Sequence, residues 1–270
     1  MAAAGVPYER LADVFAAVPR EHFLGPGPWP ILRWGRGYER SPSDDPVYLY
    51  TNDLVGIDPA RDLNNGQPSF HFLLMARLDP QPGEHVVQVG AGTGYYTAIL
   101  AELVGEEGRV TALEYDAALA ALAAKNLVGR ANVEVARADG TTAEFDAADG
   151  IYVNAGVTHP LGRWLDRVRD GGRLVLPLTT ASRRGAINAQ VARRGAVFLI
   201  RRRGEQFAAR WISPVAIFPC HGGRAGGPSR ALARALKAGG ADRVRHLYRH
   251  NEVPDERCWL RGEGWCLAYD

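Results

Sequence analysis

The sequence predicts an α/β fold whose core is a doubly wound, mostly parallel sheet with helices on both faces. Three observations predict it. A β-branched run containing Val86, Val87 and Val89 is followed at once by glycines and then by a helical apolar pattern over 95–104. Short apolar strands alternate with helical stretches from there to residue 178. The chain has 270 residues, of which 46% are hydrophobic, and is therefore long enough to bury a full core.

The glycine loop after the first of these strands carries the first functional signal. It has glycine at every second position and consists of Gly90, Ala91, Gly92, Thr93 and Gly94, with Tyr95 opening the helix. A dinucleotide-binding loop has the spacing G-x-G-x-x-G and leaves helix N-terminal amides open to a pyrophosphate. Here the last glycine comes one residue early, which favours a ligand without a pyrophosphate, held by its ribose and amino-acid ends. A nicotinamide-binding oxidoreductase is disfavoured, and a glycine-rich turn without a ligand is the structural alternative.

Two acidic residues follow at predicted strand ends. Glu114 comes directly after the strand at 109–113, where an acid about 20 residues past the glycines takes ribose hydroxyls in this type of fold. Asp139 and Gly140 follow the strand at 132–136, and an acid there can receive an adenine amino group. Each alone is an ordinary strand-end carboxylate. Together with the loop, they indicate a nucleoside-binding site.

The segments VVQVGAGTGYYTA (86–98) and ALEYD (112–116), with the Asp139-Gly140 pair, resemble the S-adenosylmethionine (SAM)-dependent methyltransferases. VPREHF (18–23), GQPS (66–69) and GGRLVLPL (171–178) resemble one branch, the protein-L-isoaspartate O-methyltransferases, over roughly residues 8–220. The resemblance implies a Rossmann-like methyltransferase sheet, SAM as cofactor and S-adenosyl-L-homocysteine (SAH) as product. It also implies that Glu114 holds the ribose, Asp139 the adenine end, and residues 90–94 the amino-acid portion.

The loop before the helix predicted at 69–78 departs from that family. The family has a threonine-isoleucine-serine run, a variable residue and a proline over the SAM methyl group, and its serine is usually given a catalytic role. Alignment on Pro68 puts Gly66 at the serine position, so the hydroxyl is missing here. We expect Gln67 and Ser69 to border the methyl group as the catalytic loop. The missing serine favours a dedicated peptide or small-molecule substrate over damaged protein at large.

Further candidates surround that loop or follow the strand predicted at 150–153. Ligand-facing loops lie at the carboxyl ends of strands, which makes the residues after 153 candidates for the reaction pocket. We expect Asn154 in the cofactor site, and we expect the substrate site to contain Asp53, Asn65, Gly66 and Thr158. His159 is the one motif-placed candidate for a base, and its alternative is a loop histidine ahead of proline.

The nucleophile decides whether a base is needed. A carboxylate, with a reference pKa of about 4, is ionised at neutral pH, whereas a phenol, at about 10, usually needs a base or a metal. We therefore expect carboxyl O-methylation of an Asp or isoAsp-type carboxylate in a peptide or protein. The alternatives are a small-molecule O- or N-methyltransferase that uses His159 as base, and a SAM-binding module that has lost catalysis.

Composition and charge limit the partners. The formal net charge is +2, which gives no case for nucleic acid. No run approaches the roughly 18 apolar residues of a membrane span, and MAAAGVPYER is not a secretory signal. The three cysteines, Cys220, Cys258 and Cys266, have neither framework nor zinc-ligand spacing, which favours a reduced cytoplasmic compartment and no metal. We expect a monomer or homodimer.

The chain is predicted to have three parts. Residues 1–80 form a substrate and cap segment, with a helix at 8–18, irregular structure at 21–40 and a short strand at 47–50. Residues 81–220 form the SAM-binding core, with helices at 117–127 and 161–168 and late strands at 187–192 and 196–201. Residues 221–270 form a basic extension packed on the core: a flexible linker at 221–228, a helix at 229–238 capped by Ser229, and a final docked strand. Its basic side chains form either a solvated face or a lid that draws in an acidic substrate: Arg224, Arg230, Arg234, Lys237, Arg243, Arg245 and Arg249.

Overall fold

The computed structural model describes residues 8–33, 35–180, 195–223, 226–250 and 252–270. The chain divides into two compact units. The first unit contains Met1–His85 and Ala91–Arg137, and the second contains Val86–Gly90 and Ala138–Asp270. The strand predicted at 187–192 and the predicted basic residue Arg224 lie outside the described residues. The three-part division at residues 80 and 220 stays a prediction.

The helices and strands are numbered here in chain order. The helices are α1 (Tyr8–Ala17), α2 (Pro68–Leu78), α3 (Tyr95–Val104), α4 (Ala117–Asn126), α5 (Gly162–Arg167) and α6 (Gly226–Ala238). The strands are β1 (Pro30–Arg33), β2 (Gly37–Arg40), β3 (Gly56–Asp58), β4 (Leu63–Asn64), β5 (His85–Val89), β6 (Arg109–Glu114), β7 (Val133–Arg137), β8 (Ala148–Val153), β9 (Val168–Thr179), β10 (Gly195–Arg203), β11 (Gln206–Pro214), β12 (His246–Tyr248), β13 (Cys258–Gly262) and β14 (Trp265–Ala268).

The first unit contains α1 to α4 and the parallel strand pair β6–β7, in register from Val110 opposite Val133. Its helices begin and end where the local chemistry requires. Pro68 occupies the first turn of α2, where a missing N–H costs nothing. The Asp116 carboxylate caps α4 by accepting the N–H groups of Ala118 and Leu119. The helices predicted at 8–18, 69–78, 95–104 and 117–127 are thus confirmed to within a residue.

Two expectations for the first unit are wrong. Residues 21–40 are not irregular throughout, because β1 and β2 pair as an antiparallel hairpin after a short 3-10 turn at Arg20–Phe23. Residues 47–50 do not form a strand. Pro46 opens a 3-10 turn there, and the Asp45 carboxylate accepts the N–H of Val47, which fixes a turn in place of an extended chain.

The second unit has a parallel part and an antiparallel part. β5 is parallel to β8, and β8 to β9, and all five residues of β5 are buried, as is typical of a strand covered on both faces. β9, β10, β11 and β12 then follow as antiparallel neighbours. The predicted α/β class with a parallel core is confirmed, as are the strands at 150–153, 173–178 and 196–201. The antiparallel direction of the late strands was not part of the prediction.

The C-terminal extension adds β12, β14 and β13 to the second unit, so the docked strand expected there is confirmed as part of a strand pair. α6 begins at Gly226, so Ser229 lies inside the helix and is not its N-cap. Pro228 falls in the first turn, where proline is tolerated, and therefore does not delay the helix. β13 and β14 bring Cys258 and Cys266 together in a disulfide, with Cα atoms 6.0 Å apart, and Cys220 is buried and free. Sequence spacing had not paired them.

Candidate active site

The glycine loop between β5 and α3 is built on backbone conformations that favour glycine. Gly90, Gly92 and Gly94 all have positive φ angles, of 84°, 59° and 92°. A β-carbon on Gly94 would meet Leu127 at 2.9 Å, so this glycine allows α3 to approach α4 closely. A β-carbon on Gly92 would meet nothing within 4 Å. The middle of the loop therefore faces open space, which is where a bound ligand can approach the backbone.

Glu114, at the end of β6, is tied to that loop. One carboxylate oxygen accepts the N–H of Gly92 at 2.8 Å, and the other accepts the N–H of Asp116 at 3.0 Å. The residue is buried, and burial raises the pKa of its carboxyl, while the two backbone N–H groups act in the opposite direction. A carboxylate has about four lone-pair sites, so Glu114 retains acceptor capacity for ligand hydroxyls after fixing the loop.

The side chains that follow Gly92 include two buried hydroxyls without partners among the described residues, Thr93 Oγ1 and Tyr96 Oη. Thr93 is held through its backbone, since its carbonyl accepts the side-chain amide of Asn126 at 2.9 Å. A buried hydroxyl without a hydrogen bond costs about 1–3 kcal/mol, so such a group usually has a partner. Both hydroxyl oxygens are enclosed by protein, so the part of the loop that a polar ligand, such as the amino-acid portion of SAM, can approach is the backbone at Gly92.

Asp139 and Gly140, in the second unit, have separate tasks. Oδ1 of Asp139 accepts the N–H of Thr141 at 2.9 Å and its hydroxyl at 2.7 Å. A β-carbon on Gly140 would lie 2.5 Å from Val89, and its carbonyl accepts the indole N–H of Trp164 at 2.8 Å. Gly140 is therefore required for packing, and Asp139 is the residue of the pair whose side chain remains a candidate for ligand binding.

The loop after β8 contains the other predicted residues of this unit. Asn154 donates its backbone N–H to Val89 at 2.8 Å and its side-chain amide to the Gly90 carbonyl at 3.3 Å. Thr158 is fully buried, and its hydroxyl lies 3.1 Å from Nδ1 of His159. His159 is half-buried, and burial lowers the pKa of its imidazole, so the ring is neutral at pH 7.

The predicted substrate loop of the first unit is organised by Arg20, a residue to which sequence analysis assigned no role. Arg20 is 1% exposed, and its guanidinium donates to Oδ1 of Asn65 at 3.0 Å, to the Gly66 carbonyl at 3.0 Å and to the Leu49 carbonyl at 2.8 Å. It also donates to the Asp53 carbonyl at 3.4 Å. Burial lowers the pKa of Arg20. The sequence signal for a role of Arg20 was its place in VPREHF, but 45 residues separate Arg20 from Asn65.

Gly66 lies directly against His71 of α2. Its φ angle is +72°, and a β-carbon there would overlap Nε2 of the imidazole. His71 is buried and stacks on Tyr96 with ring centroids 3.7 Å apart. Burial, with the nearby charge of Arg20, lowers the pKa of His71 to about 3, so its ring is neutral. A serine at position 66 would therefore require His71 to move.

The other predicted residues of this loop differ in exposure. The side chains of Gln67 and Ser69 are exposed, and the Ser69 N–H donates to Oδ1 of Asn52 at 2.9 Å. The Asp53 carboxylate pairs with Arg33 at 2.8 Å and accepts the Thr51 hydroxyl at 3.0 Å. Gln67 and Ser69 are thus accessible to an acceptor, whereas Asp53 is engaged in holding the loop.

The described part of the chain contains no group of three or more His, Cys, Asp or Glu side chains arranged to hold a metal ion. Within the same residues, every helix falls short of the length and apolarity that crossing a bilayer would require.

Comparison with known proteins identifies the family that this chain matches. The family model described as protein-L-isoaspartate(D-aspartate) O-methyltransferase (PCMT) matches residues 38–206, more than half of the chain. The chain is 29% identical over 201 residues to the protein-L-isoaspartate O-methyltransferase of Thermotoga maritima, covering 72% of this chain and 56% of that protein. It is 41% identical over 180 residues to the Aeropyrum pernix protein of the same name, covering 65% and 62%. The chain thus spans less than two thirds of the length of these two relatives.

A solved structure supports the fold. It is that of a Plasmodium falciparum protein assigned as a protein-L-isoaspartate O-methyltransferase, in complex with SAH. The two chains are 16% identical, the TM-score is 0.58, and the match covers 78% of this chain and 90% of that one. At that identity the likeness concerns the fold alone, and the family follows from the sequence match. The chain belongs to the protein-L-isoaspartate(D-aspartate) O-methyltransferase family.

Proposed function

We propose that this protein is a SAM-dependent methyltransferase that esterifies an aspartyl- or isoaspartyl-type carboxylate in a peptide or protein. One observation carries the proposal: Glu114 accepts the N–H of Gly92, whose α-carbon faces open space. The family match and the names of the two relatives support the same chemistry.

The residues present fit SAM, which supplies an activated methyl carbon when it is bound. Glu114 would accept the ribose hydroxyls with its remaining lone pairs. Asp139 would accept a hydrogen bond from the adenine amino group, and the glycine loop at 90–94 would receive the amino-acid portion. In the second unit, Asn154, whose amide lies against the Gly90 carbonyl, is a further candidate for cofactor contact. SAH in the Plasmodium falciparum structure supports this cofactor class.

The residues around the methyl acceptor would act by positioning its carboxylate. An ionised carboxylate needs no base at neutral pH, so the protein has to orient it and exclude water. Arg20 holds Asn65 and Gly66 in place, and the exposed side chains of Gln67 and Ser69 would border the transferred methyl group. His71 fills the space beside Gly66, and the missing serine hydroxyl favours a dedicated peptide over damaged protein at large.

The test is transfer of a labelled methyl group from SAM to an isoaspartyl peptide and to its aspartyl twin, quenched at acid pH. The proposal predicts label on the isoaspartyl peptide in excess over a reaction without peptide. Absence of label from both peptides, in protein that binds SAM by calorimetry, would refute the carboxylate assignment for these acceptors. Absence of SAM binding would refute the cofactor as well.

His159 supports one alternative, a small-molecule O- or N-methyltransferase that needs a base. Its neutral imidazole at a strand end could accept a proton from a phenol or amine. With a carboxylate acceptor, His159→Ala should keep the methyl-transfer rate within about threefold, since general-base catalysis is worth about 100-fold or more where it operates. A loss of 100-fold would favour the alternative.

A further inference from the structure

Residues 218–223, here called the strap, follow β11 and lie beyond the family match at 38–206. The strap is bonded to the loop after β8. The Gly156 N–H donates to the Phe218 carbonyl at 2.7 Å, the Cys220 N–H donates to the Gly156 carbonyl at 2.9 Å, and the Thr158 N–H donates to the Gly223 carbonyl at 3.1 Å. The segment expected to be a flexible linker therefore begins as an ordered element of the site, because these backbone groups are paired.

Gly222 of the strap lies on the carboxylate of Asp139. Its φ angle is +70°, and a β-carbon there would come within 2.5 Å of Oγ1 of Thr141 and 2.7 Å of Oδ2 of Asp139. The same Thr141 hydroxyl donates to Oδ1 of Asp139 at 2.7 Å. Oδ1 of the carboxylate is thus held by two hydrogen bonds from Thr141, and the space beside Oδ2 leaves no room for a side chain at position 222.

We propose that Gly222 and Thr141 are positioning residues for adenine recognition, which hold Asp139 in the rotamer that receives the adenine amino group. The proposal rests on the proposed function, because it takes Asp139 as the adenine-binding residue. It makes the strap, which the family match does not include, part of the cofactor site. A methyl group at position 222 would displace the Asp139 carboxylate or the Thr141 hydroxyl that holds it.

The test compares two ligands by calorimetry: SAH, and S-inosyl-L-homocysteine, in which a carbonyl oxygen replaces the adenine amino group. Gly222→Ala should weaken SAH binding by about tenfold or more, the equivalent of one charged hydrogen bond. It should not weaken S-inosyl-L-homocysteine binding, since that ligand presents a carbonyl oxygen, which cannot donate a hydrogen bond to Asp139. Gly239→Ala, at a glycine with a similar φ of +79° whose β-carbon would meet nothing within 4 Å, is the matched control.

Three outcomes separate the proposals. Unchanged SAH affinity in Gly222→Ala, or equal losses for both ligands, would overturn the positioning role while wild-type binding of SAH leaves the proposed function standing. Failure of the wild type to bind SAH would overturn both. If Gly222→Ala melts below the assay temperature, Thr141→Val removes the hydroxyl's hydrogen bond to Asp139, keeps that of the backbone N–H, and adds no volume. The same selective loss is expected. Equal affinities of Thr141→Val and wild type would then overturn the proposal.

Discussion

Nε2 of His71 occupies the space in which a side chain on Gly66 would begin. The imidazole is stacked on Tyr96 with an interplanar angle of 17°, so it has a ring against one face and the loop against its edge. The glycine and the histidine are therefore a matched pair. A serine at position 66 would overlap the imidazole as it stands, and the pair ties the shape of the predicted substrate loop to a buried side chain of α2.

Gly66→Ser should destabilise the protein by more than its backbone angle alone explains. Gly25 has a similar φ of +68° with nothing within 4 Å, so Gly25→Ser measures the cost of a left-handed residue, about 1–2 kcal/mol. Gly66→Ser should cost about 2 kcal/mol more, because overpacking against His71 adds to it. Urea unfolding followed by tryptophan fluorescence measures both. The excess should disappear when His71→Ala is added, and equal losses at the two glycines would contradict the matched pair.

The neutral His71 predicts a pH dependence of stability. Its pKa is about 3 in the folded protein and about 6.5 when unfolded, so the unfolded chain binds the proton that the folded chain excludes. The stability that the protein has while His71 is neutral in both states is fully present above pH 6.5 and is lost as the pH falls below it. Between pH 6 and 5 this residue should lower the free energy of unfolding by up to about 1.4 kcal/mol per pH unit. The difference between wild type and His71→Gln, measured from pH 5 to 8, isolates it. A difference that does not vary with pH would contradict the prediction.

Arg20→Lys should destabilise the protein by about 3 kcal/mol. Lysine keeps the charge but cannot reproduce the planar fork, so buried acceptors at Asn65, Gly66 and Leu49 lose partners. Thermal unfolding measures the loss. Arg40→Lys is the control, because exposed Arg40 makes a single bond to a carbonyl and should change stability by less than about 0.5 kcal/mol. Comparable losses at the two positions would show that Arg20 does not organise the loop.

Glu114→Gln should reduce SAH affinity by about 10- to 100-fold, measured by calorimetry. The amide nitrogen of glutamine cannot accept a hydrogen bond, so the N–H of Gly92 or that of Asp116 loses its partner. The substitution therefore removes both an anchor of the glycine loop and a charged acceptor for the ribose hydroxyls. Glu134→Gln, on the exposed face of β7, should leave affinity within about twofold. If Glu114→Gln also stayed within twofold, Glu114 would have no part in binding.

The parts of the fold that were predictable from sequence are those specified by neighbouring residues. The valines of β5, the glycines after them and the apolar face of α3 lie within 20 residues of one another, and their periodicity predicts strand, loop and helix. The local sequence pattern gave a wrong prediction at residues 47–50. VYLY has strand-forming side chains, but Pro46 and the Asp45 cap decide the backbone there.

The parts of the site that were missed depend on distant contacts. Arg20 meets Asn65 from 45 residues away, and Gly222 meets Asp139 from 83 residues away (222 − 139), so periodicity does not reveal either contact. The disulfide likewise forms because β13 and β14 pair. Gly66 was identified as an unusual residue from its alignment on Pro68, but the reason, His71, required the structure.

The central claim is that a carboxylate receives the methyl group, and the most direct measurement is the chemistry of the product. The protein is incubated with labelled SAM and an isoaspartyl peptide, the peptide is isolated at acid pH, and it is then brought to mild alkali. A carboxyl methyl ester hydrolyses and releases its label as volatile methanol, whereas methyl ethers and N-methyl groups do not. We predict that essentially all of the peptide-bound label is released. Label that stays on the peptide, or a peptide that takes up none, would contradict carboxyl methylation of this acceptor.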